Sequence, residues 1–304
     1  MIDFEYQSPS TIEEAVSVLA EHGDKAAILA GGTDIIVQLR EGMRQAEVVV
    51  DVKKIPQLTN IEWREDGGLE LGASVSCTRI YGDQAIIDAY PSLADSARII
   101  GGWQIQSRAS IGGNLCNSSP AADSIPSLIV EGVTCRIAGP DGERKLPVGE
   151  FCTAPGKNCL GEGEFLVGLS FPAPATRSGS RYIRFIPRNE MDIAVAGAGA
   201  WVQLDEAGET IESARIALAA VAPTPLSADE ASAWLAGKPA TDETFAAAGD
   251  LASKIASPIS DLRGPAEYRV HLTGVIVKRA LNGATGRARG GDRNPVIPNG
   301  LKKC

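Results

Sequence analysis

The chain has few of the residues that hydrolytic and metal chemistry depend on. It holds only two histidines, His22 and His271, and has no His-Glu-x-x-His pair, no Gly-x-Ser-x-Gly turn and no Gly-x-Gly-x-x-Gly run after a strand. A zinc protease, an α/β-hydrolase and a Rossmann dehydrogenase would each lack their working groups. The cysteines, Cys77, Cys116, Cys135, Cys152, Cys159 and Cys304, show none of the close spacings of zinc or iron–sulfur sites. They read as free, small apolar fillers, so neither a metal site nor a disulfide framework is expected. Basic residues are outnumbered, 29 Lys and Arg against 38 Asp and Glu, for a net charge of -9. That balance excludes a nucleic acid or an anionic membrane surface as partner. No apolar run is long enough to cross a bilayer, and the start Met1-Ile2-Asp3-Phe4-Glu5 has no basic or apolar leader region, so a cytoplasmic chain without a membrane span is expected.

What is present is glycine at telling places. Residues 108 to 128 run Arg108-Ala109-Ser110-Ile111-Gly112-Gly113-Asn114, then Ser118-Ser119-Pro120 and Asp123, between two apolar segments, and read as a loop built to hold something. Gly112 and Gly113 would let a ligand approach the main chain and would turn several N–H groups to one point, which suits an anion. No Lys follows them, so this is not a Walker loop; the neutral donors Ser110, Asn114, Asn117, Ser118 and Ser119 suggest a diphosphate. Asp123 would accept from ribose hydroxyls. A Gly-rich crossover packed under a helix explains the same stretch equally well. A second loop shifts that balance: Ile28-Leu29-Ala30-Gly31-Gly32-Thr33-Asp34-Ile35 carries an apolar strand into Gly-Gly and on into a helix-like run. Two such loops would grip one diphosphate from both sides.

With both loops in view, Ala30-Gly31-Gly32-Thr33-Asp34 and Ser110-Ile111-Gly112-Gly113-Asn114, followed by Ser119-Pro120 and Asp123, resemble the paired FAD loops of the molybdenum hydroxylase flavoproteins. These are the medium subunits of the carbon monoxide dehydrogenase type and the central flavin domain of xanthine dehydrogenase. The resemblance covers roughly residues 1 to 283. It implies noncovalent FAD bound by residues Ile28, Leu29 and Ala30 to Ile35, by Ile100, and by Ser110 to Asn114 with Asp123. It also implies that Leu166 and Ile193 pack against the cofactor and that Arg184 lies near it, where the family member compared most closely has Lys. A cation there would favour reduced, anionic flavin, which is redox tuning and not acid–base catalysis; no catalytic side chain is implied. A pairing of Arg184 with a carboxylate such as Asp192 is the other reading of that position.

The resemblance further implies an electron-transfer subunit of a molybdenum hydroxylase. A small subunit with two [2Fe-2S] clusters would deliver electrons, a large subunit would carry the molybdenum–pterin cofactor, and the acceptor would be NAD+, a quinone or oxygen. The assembly would be a dimer of heterotrimers. No cysteine-bearing insertion for a further cluster is seen. Two alternatives stay open: a self-contained FAD-dependent oxidoreductase of related fold, and a non-redox nucleotide-binding assembly protein.

Along the chain, the spacing predicts a helix from Thr11 to Ala20 with Ser10 as N-cap, strands at Ala26 to Ala30 and Val48 to Val52, and a hairpin from Asn60 to Val75. Thr78 to Ala89 and Ser92 to Ile100 read as helices, and Ile129 to Arg136 and Phe165 to Phe171 as strands. Trp103, beside a Gly-Gly pair, reads as core more readily than as a flavin-stacking ring. Beyond the linker Pro172 to Ser180 come strands at Arg181 to Phe185, Ile193 to Leu204 and Ile211 to Val221. Helices follow at Ser227 to Leu235, Asp242 to Ser257 and Pro265 to Leu281. The class is α+β: a two-part FAD-binding domain at 1–175, with a small α/β subdomain at 1–55 and a larger mixed-sheet subdomain at 56–175. An α+β C-terminal domain at 180–283 follows, with a three-stranded antiparallel sheet and helices, and then an aperiodic tail at 284–304 draped on a partner or poorly ordered.

Overall fold

The computed structural model describes residues 3–188 and 191–295, and these fall into two units. The first gathers the described residues of Met1–Arg79, Trp103–Ser118 and Val133–Ala173; the second gathers those of Ile80–Gly102, Ser119–Gly132 and Pro174–Cys304. The sequence boundaries near 55, 175 and 283 follow chain order, whereas these units interleave along it.

The first unit begins with a parallel sheet of β1 (Glu5–Gln7), β2 (Ala26–Leu29) and β3 (Val48–Asp51), in the order β1-β3-β2. Val48, Val49 and Val50 form the central strand and are buried in succession, as a strand covered on both faces requires. The helix Ile12–His22 turns Ala15 and Leu19 inward. Its N-cap is Thr11, one residue beyond the expected Ser10: Thr11 Oγ1 accepts from Glu14 N at 3.1 Å, while the Glu14 carboxylate accepts from Ser10 N at 2.7 Å. Both residues serve the end of the helix, but the reciprocal bond puts Ser10 outside it. Gly23 ends the helix at φ 53°.

A second sheet of the same unit contains β4 (Ile61–Trp63), β5 (Leu69–Gly72), β6 (Thr134–Gly139) and β7 (Gly142–Pro147). A small hairpin of β8 (Cys152–Ala154) and β9 (Lys157–Asn158) precedes β10 (Phe165–Phe171), which sits at the centre of the order β4-β5-β10-β6-β7. All its pairings are antiparallel. The expected strand at Ile129 to Arg136 is corrected here, because Ser124–Val130 is a helix and β6 starts only at Thr134. That helix is buried nearly all round, so its sequence lacks the 3.6-residue stripe that marks surface helices. Pro126 is tolerated because it falls in the first turn, and Gly132 at φ 73° separates helix from strand.

The second unit is built on an antiparallel sheet of β11 (Ser178–Phe185), β12 (Ala196–Leu204) and β13 (Ile211–Ala219). To these three expected strands a two-residue β14 (Leu226–Ser227) is added at the edge. The turn after β12 has Gly208 at φ 72° and Asp205 Oδ1 accepting from Glu209 N and Thr210 N. The helices Asp229–Leu235, Asp242–Ser253 and Ala266–Ala288 bury Leu235, Phe245 and Ile276 in a common core with β12 and β13. Asp242–Ser253 meets Ala266–Ala288 where both have glycine; a Cβ on Gly249 would lie 2.5 Å from Gly274 O. The last helix runs past the expected stop at Leu281, so residues 284–288 of the expected tail are helical. Ala280, Ala284 and Arg287 recur at helical spacing on a buried face. Residues 296–304 of that tail lie outside the described residues.

Candidate functional site

In an open parallel sheet, ligands collect beyond the carboxyl ends of the strands, where turns expose main-chain groups. In the first unit, β2 delivers Ala30 to Asp34 to that end, before the short helix Ile35–Arg40. Among the described residues the amides from Gly31 to Ile35 donate no hydrogen bond; the next, Ile36 N, reaches back to Gly32 O at 3.2 Å. Gly32 sits at φ 81°, a conformation that side-chain-bearing residues avoid. The loop is thus a run of unspent main-chain donors, which fits a diphosphate better than a cation.

Lys53 holds the start of this loop. Its Nζ donates to Ala30 O at 2.9 Å and to Asp51 Oδ1 at 2.7 Å, and the Tyr6 hydroxyl donates to Asp51 Oδ2 at 2.6 Å. Burial alone would raise the Asp51 carboxyl, but the bonds from Lys53 and Tyr6 outweigh it and hold the group below its ordinary value. Sequence reasoning missed all three residues. The available clue was a carboxylate closing a Val-Val-Val strand, which is a polar group at the carboxyl end of a parallel strand.

The second loop is less of a loop than expected, since Ile111–Asn117 is helical, with Ser110 as N-cap accepting from Gly113 N at 3.1 Å. The two glycines of this stretch differ. A Cβ on Gly112 would lie 2.4 Å from Ala73 O, so that glycine lets the helix pack on the backbone at Ala73 and does not open a path for a ligand. For Gly113 the nearest atom is Ser110 Oγ at 3.1 Å. The two loops do meet: a Cβ on Gly31 would lie 2.0 Å from Arg108 O, so only glycine permits that approach.

Other expected site residues of the first unit are less open. Ile111 and Leu166 are buried, at 1% and 4% exposure, and Leu166 precedes an irregularity in β10. Ile28 and Leu29 are half-buried, and Asp34 is exposed without a side-chain cap bond. Trp103 is 59% exposed, so the core reading fails for it.

In the second unit Ile100 is half-buried, Ile193 is 52% exposed, and Asp123 and Arg184 are locked together. Arg184 donates to Asp123 Oδ2 at 2.6 Å, and the Tyr182 hydroxyl donates to Asp123 Oδ1 at 2.9 Å. Arg184 does pair with a carboxylate, but with Asp123; Asp192 is held by Arg188 at 3.2 Å. Burial pushes Asp123 up to about 6 against the opposing pull of Arg184 and Tyr182. Burial, with the neighbouring Asp123 charge, also drives the Tyr182 phenol well above its ordinary value. Both Asp123 oxygens already serve the chain's own groups.

The described cysteines are free, and burial pushes the Cys77 and Cys116 thiols up to about 12. No group of side chains able to hold a metal ion occurs among the described residues. His271 is exposed on the last helix. The arrangement offers main-chain donors for a phosphate-bearing ligand.

Comparison with known proteins agrees with this chemistry. The chain matches the family model of the FAD binding domain in molybdopterin dehydrogenase over residues 2–174. It matches that of the CO dehydrogenase flavoprotein C-terminal domain over 181–284. It is 32% identical to the putative xanthine dehydrogenase FAD-binding subunit of Escherichia coli (strain K12), covering 95% of this chain and 99% of that one. It is 34% identical to the carbon monoxide dehydrogenase medium chain of Hydrogenophaga pseudoflava, covering 93% and 98%. A solved carbon monoxide dehydrogenase from Hydrogenophaga pseudoflava, lacking the Mo-pyranopterin moiety of its cofactor, superposes with a TM-score of 0.89 at 34% identity, over 94% of this chain and 99% of that one. Quinoline 2-oxidoreductase from Pseudomonas putida 86 superposes with a TM-score of 0.87 at 27% identity, over 94% and 98%.

Proposed function

The chain belongs to the family of FAD-binding subunits of molybdenum-containing dehydrogenases of the xanthine and carbon monoxide dehydrogenase type, and from that premise we propose that it takes electrons from [2Fe-2S] clusters on a separate small subunit and hands them to NAD+, a quinone or oxygen. A large subunit with the molybdenum–pterin cofactor acts on the substrate. Relatives named as a medium chain and an FAD-binding subunit support separate partner chains, and a dimer of heterotrimers is the assembly we propose. No helix among the described residues is long and apolar enough to cross a membrane, and a cytoplasmic complex is part of the proposal.

Noncovalent FAD supplies the redox chemistry when bound; the chain binds it, orients it and shields it from water. The observation that carries the reading is the run of unspent amides from Gly31 to Ile35, beyond the carboxyl end of a parallel strand and against the Arg108–Ala109 segment. Ser110 fixes the Gly113 amide and, with Asn114, completes the neutral donor set. Ile28, Leu29 and Ile111 support these loops from within. Ile100, Asp123, Leu166, Arg184 and Ile193 are proposed at the cofactor on the resemblance alone. For Asp123 the role becomes holding Arg184, with lone pairs left over for an incoming hydroxyl.

The test is an absorption spectrum of the complex purified gently from its native host, with the released flavin identified and metals assayed on the same sample. FAD together with iron and molybdenum is the expected result. FAD without either metal points to a self-contained oxidoreductase, and a colourless protein points to a non-redox assembly factor.

A further inference from the structure

A peptide unit is planar and trans, so its C=O and the following N–H point in opposite directions. The unit joining Ala30 to Gly31 therefore has one degree of freedom that matters to a ligand: fixing where Ala30 O points fixes where Gly31 N–H points. Lys53 does the fixing, with its Nζ 2.9 Å from Ala30 O. The next residues cannot do it themselves. Gly31 and Gly32 have no Cβ to restrict rotation, Gly32 already occupies φ 81°, and the amides from Gly31 to Ile35 make no hydrogen bond among the described residues to hold their orientation.

We propose that Lys53 is the positioning residue of this loop, and that Asp51 and Tyr6 form the support that keeps it in place. Lys53 fixes the direction of the Ala30 carbonyl, so the Gly31 amide of the same peptide plane stays turned toward the diphosphate of the bound nucleotide. The support is redundant in a way a surface ion pair is not. Asp51 Oδ1 accepts both from Lys53 Nζ at 2.7 Å and from Lys53 N at 3.0 Å, while Oδ2 takes the Tyr6 hydroxyl at 2.6 Å. Asp51 is itself 8% exposed and closes the central strand of the parallel sheet, so the chain of bonds runs from a rigid element to the loop. Asp51 also offsets the ammonium charge, so Lys53 acts by orienting a peptide and not by attracting the phosphates from a distance. The inference rests on the reading that Gly31 to Ile35 bind FAD.

The experiment uses the full chain stripped of flavin and titrated with FAD and, separately, with riboflavin, which has no diphosphate; thermal unfolding of the stripped protein is recorded alongside. Lys53→Met should weaken FAD binding about tenfold, the scale of one lost hydrogen bond to a charged group. Riboflavin binding should stay as it is even though the unfolding temperature falls, because Asp51 is left with the Tyr6 hydroxyl and the Lys53 amide, and Lys53→Arg should recover part of the loss in FAD affinity. Tyr6→Phe, which removes a single hydroxyl, should give a smaller loss of the same kind and serves if Lys53→Met does not fold. Unchanged FAD affinity, or equal weakening of FAD and riboflavin, overturns the proposal. Gly32→Val separates the two levels: if it leaves FAD binding intact, the loop assignment is wrong. If it abolishes FAD binding while Lys53→Met does not weaken it, only the role of Lys53 falls.

Discussion

The two units place their polar groups by opposite means. In the first unit the candidate site is mostly main chain: amides from Gly31 to Ile35, a Gly31–Arg108 approach that only glycine allows, and the Ser110 cap. Among the described residues, the one buried charged residue of that unit is Asp51; Asp95, Asp123, Glu131, Arg269 and Arg287 belong to the second unit. There Asp95 accepts from Arg287 at 2.6 and 2.9 Å, from Arg181 at 3.3 Å and from Tyr182 N at 3.1 Å. Glu131 takes Ser92 and Ser180 hydroxyls, and Arg269 reaches the Val195 and Ala220 carbonyls and Asp261. The candidate loops of the first unit present main-chain donors, whereas the second unit buries most of its charge in side-chain pairs far apart in sequence.

The largest effect should come from breaking the second kind. Arg287→Met leaves Asp95 buried with only Arg181 and the Tyr182 amide as partners, and removing one partner of a buried pair costs about 3–5 kcal/mol. Arg144→Met, which breaks a pair with Glu164 that is 40% exposed on the arginine side, should cost no more than about 1 kcal/mol. Denaturant unfolding of both variants tests the contrast; equal losses would erase it.

For the first unit the sharpest change is Gly31→Ala, whose methyl would meet backbone, Arg108 O, at 2.0 Å. Overpacking of this kind costs about 1–3 kcal/mol, and FAD retention should fall with it because the loop must shift. Gly113→Ala meets only the Ser110 hydroxyl at 3.1 Å and lies in a helix, where alanine is favoured, so its stability should stay near that of the parent. Calorimetry and flavin content of the two variants, compared side by side, test whether the Gly-Gly pairs are alike; matching results would mean that they are.

A pH series probes the Asp123 pair. Its folded-state value of about 6 lies above the ordinary 3.8, so between those values the native chain binds the proton more tightly than the unfolded chain. The contribution of Asp123 to stability therefore declines as pH rises from about 4 to 6, by at most about 1.4 kcal/mol per unit, and is flat above that. Asp123→Asn should remove this slope from the difference between the two stability curves. A slope of the opposite sign would mean that Arg184 dominates over burial.

How much of this was legible follows from the same contrast. β2, β3, β10, β12 and β13 carry apolar runs bounded by turns, and the Gly-Gly loops announce themselves because glycine at such positions has a steric reason visible in one short window. The helix Ser124–Val130 is not legible in the sequence because burial on nearly every side erases periodicity. Helix residues 284–288 read as tail in the sequence because Gly283 and Gly286 hide a buried Ala280-Ala284-Arg287 face. The wrong partner for Arg184 has another cause. Asp192 is eight residues away and Asp123 sixty-one, and nothing in a single sequence weighs a distant carboxylate against a near one. Lys53 escaped notice for the same reason, since its target is a backbone carbonyl 23 residues earlier.

The smallest effect asks whether local geometry in the first unit is specific to the site or merely structural. Thr11 and Ser110 are matched N-caps, each accepting from the amide three residues on at 3.1 Å. Replacing either by alanine should cost about 1 kcal/mol, the ordinary value of a cap. Their positions differ in consequence. Thr11 starts a helix that packs Ala15 and Leu19 into the core, whereas Ser110 fixes the Gly113 amide within the second stretch proposed to bind the cofactor. Ser110→Ala should therefore lose FAD during dialysis faster than the parent, and Thr11→Ala should keep it at the parent rate despite the same drop in stability. If both lose flavin equally, stability alone governs retention, and the cap at Ser110 has no part in holding the cofactor beyond folding its helix.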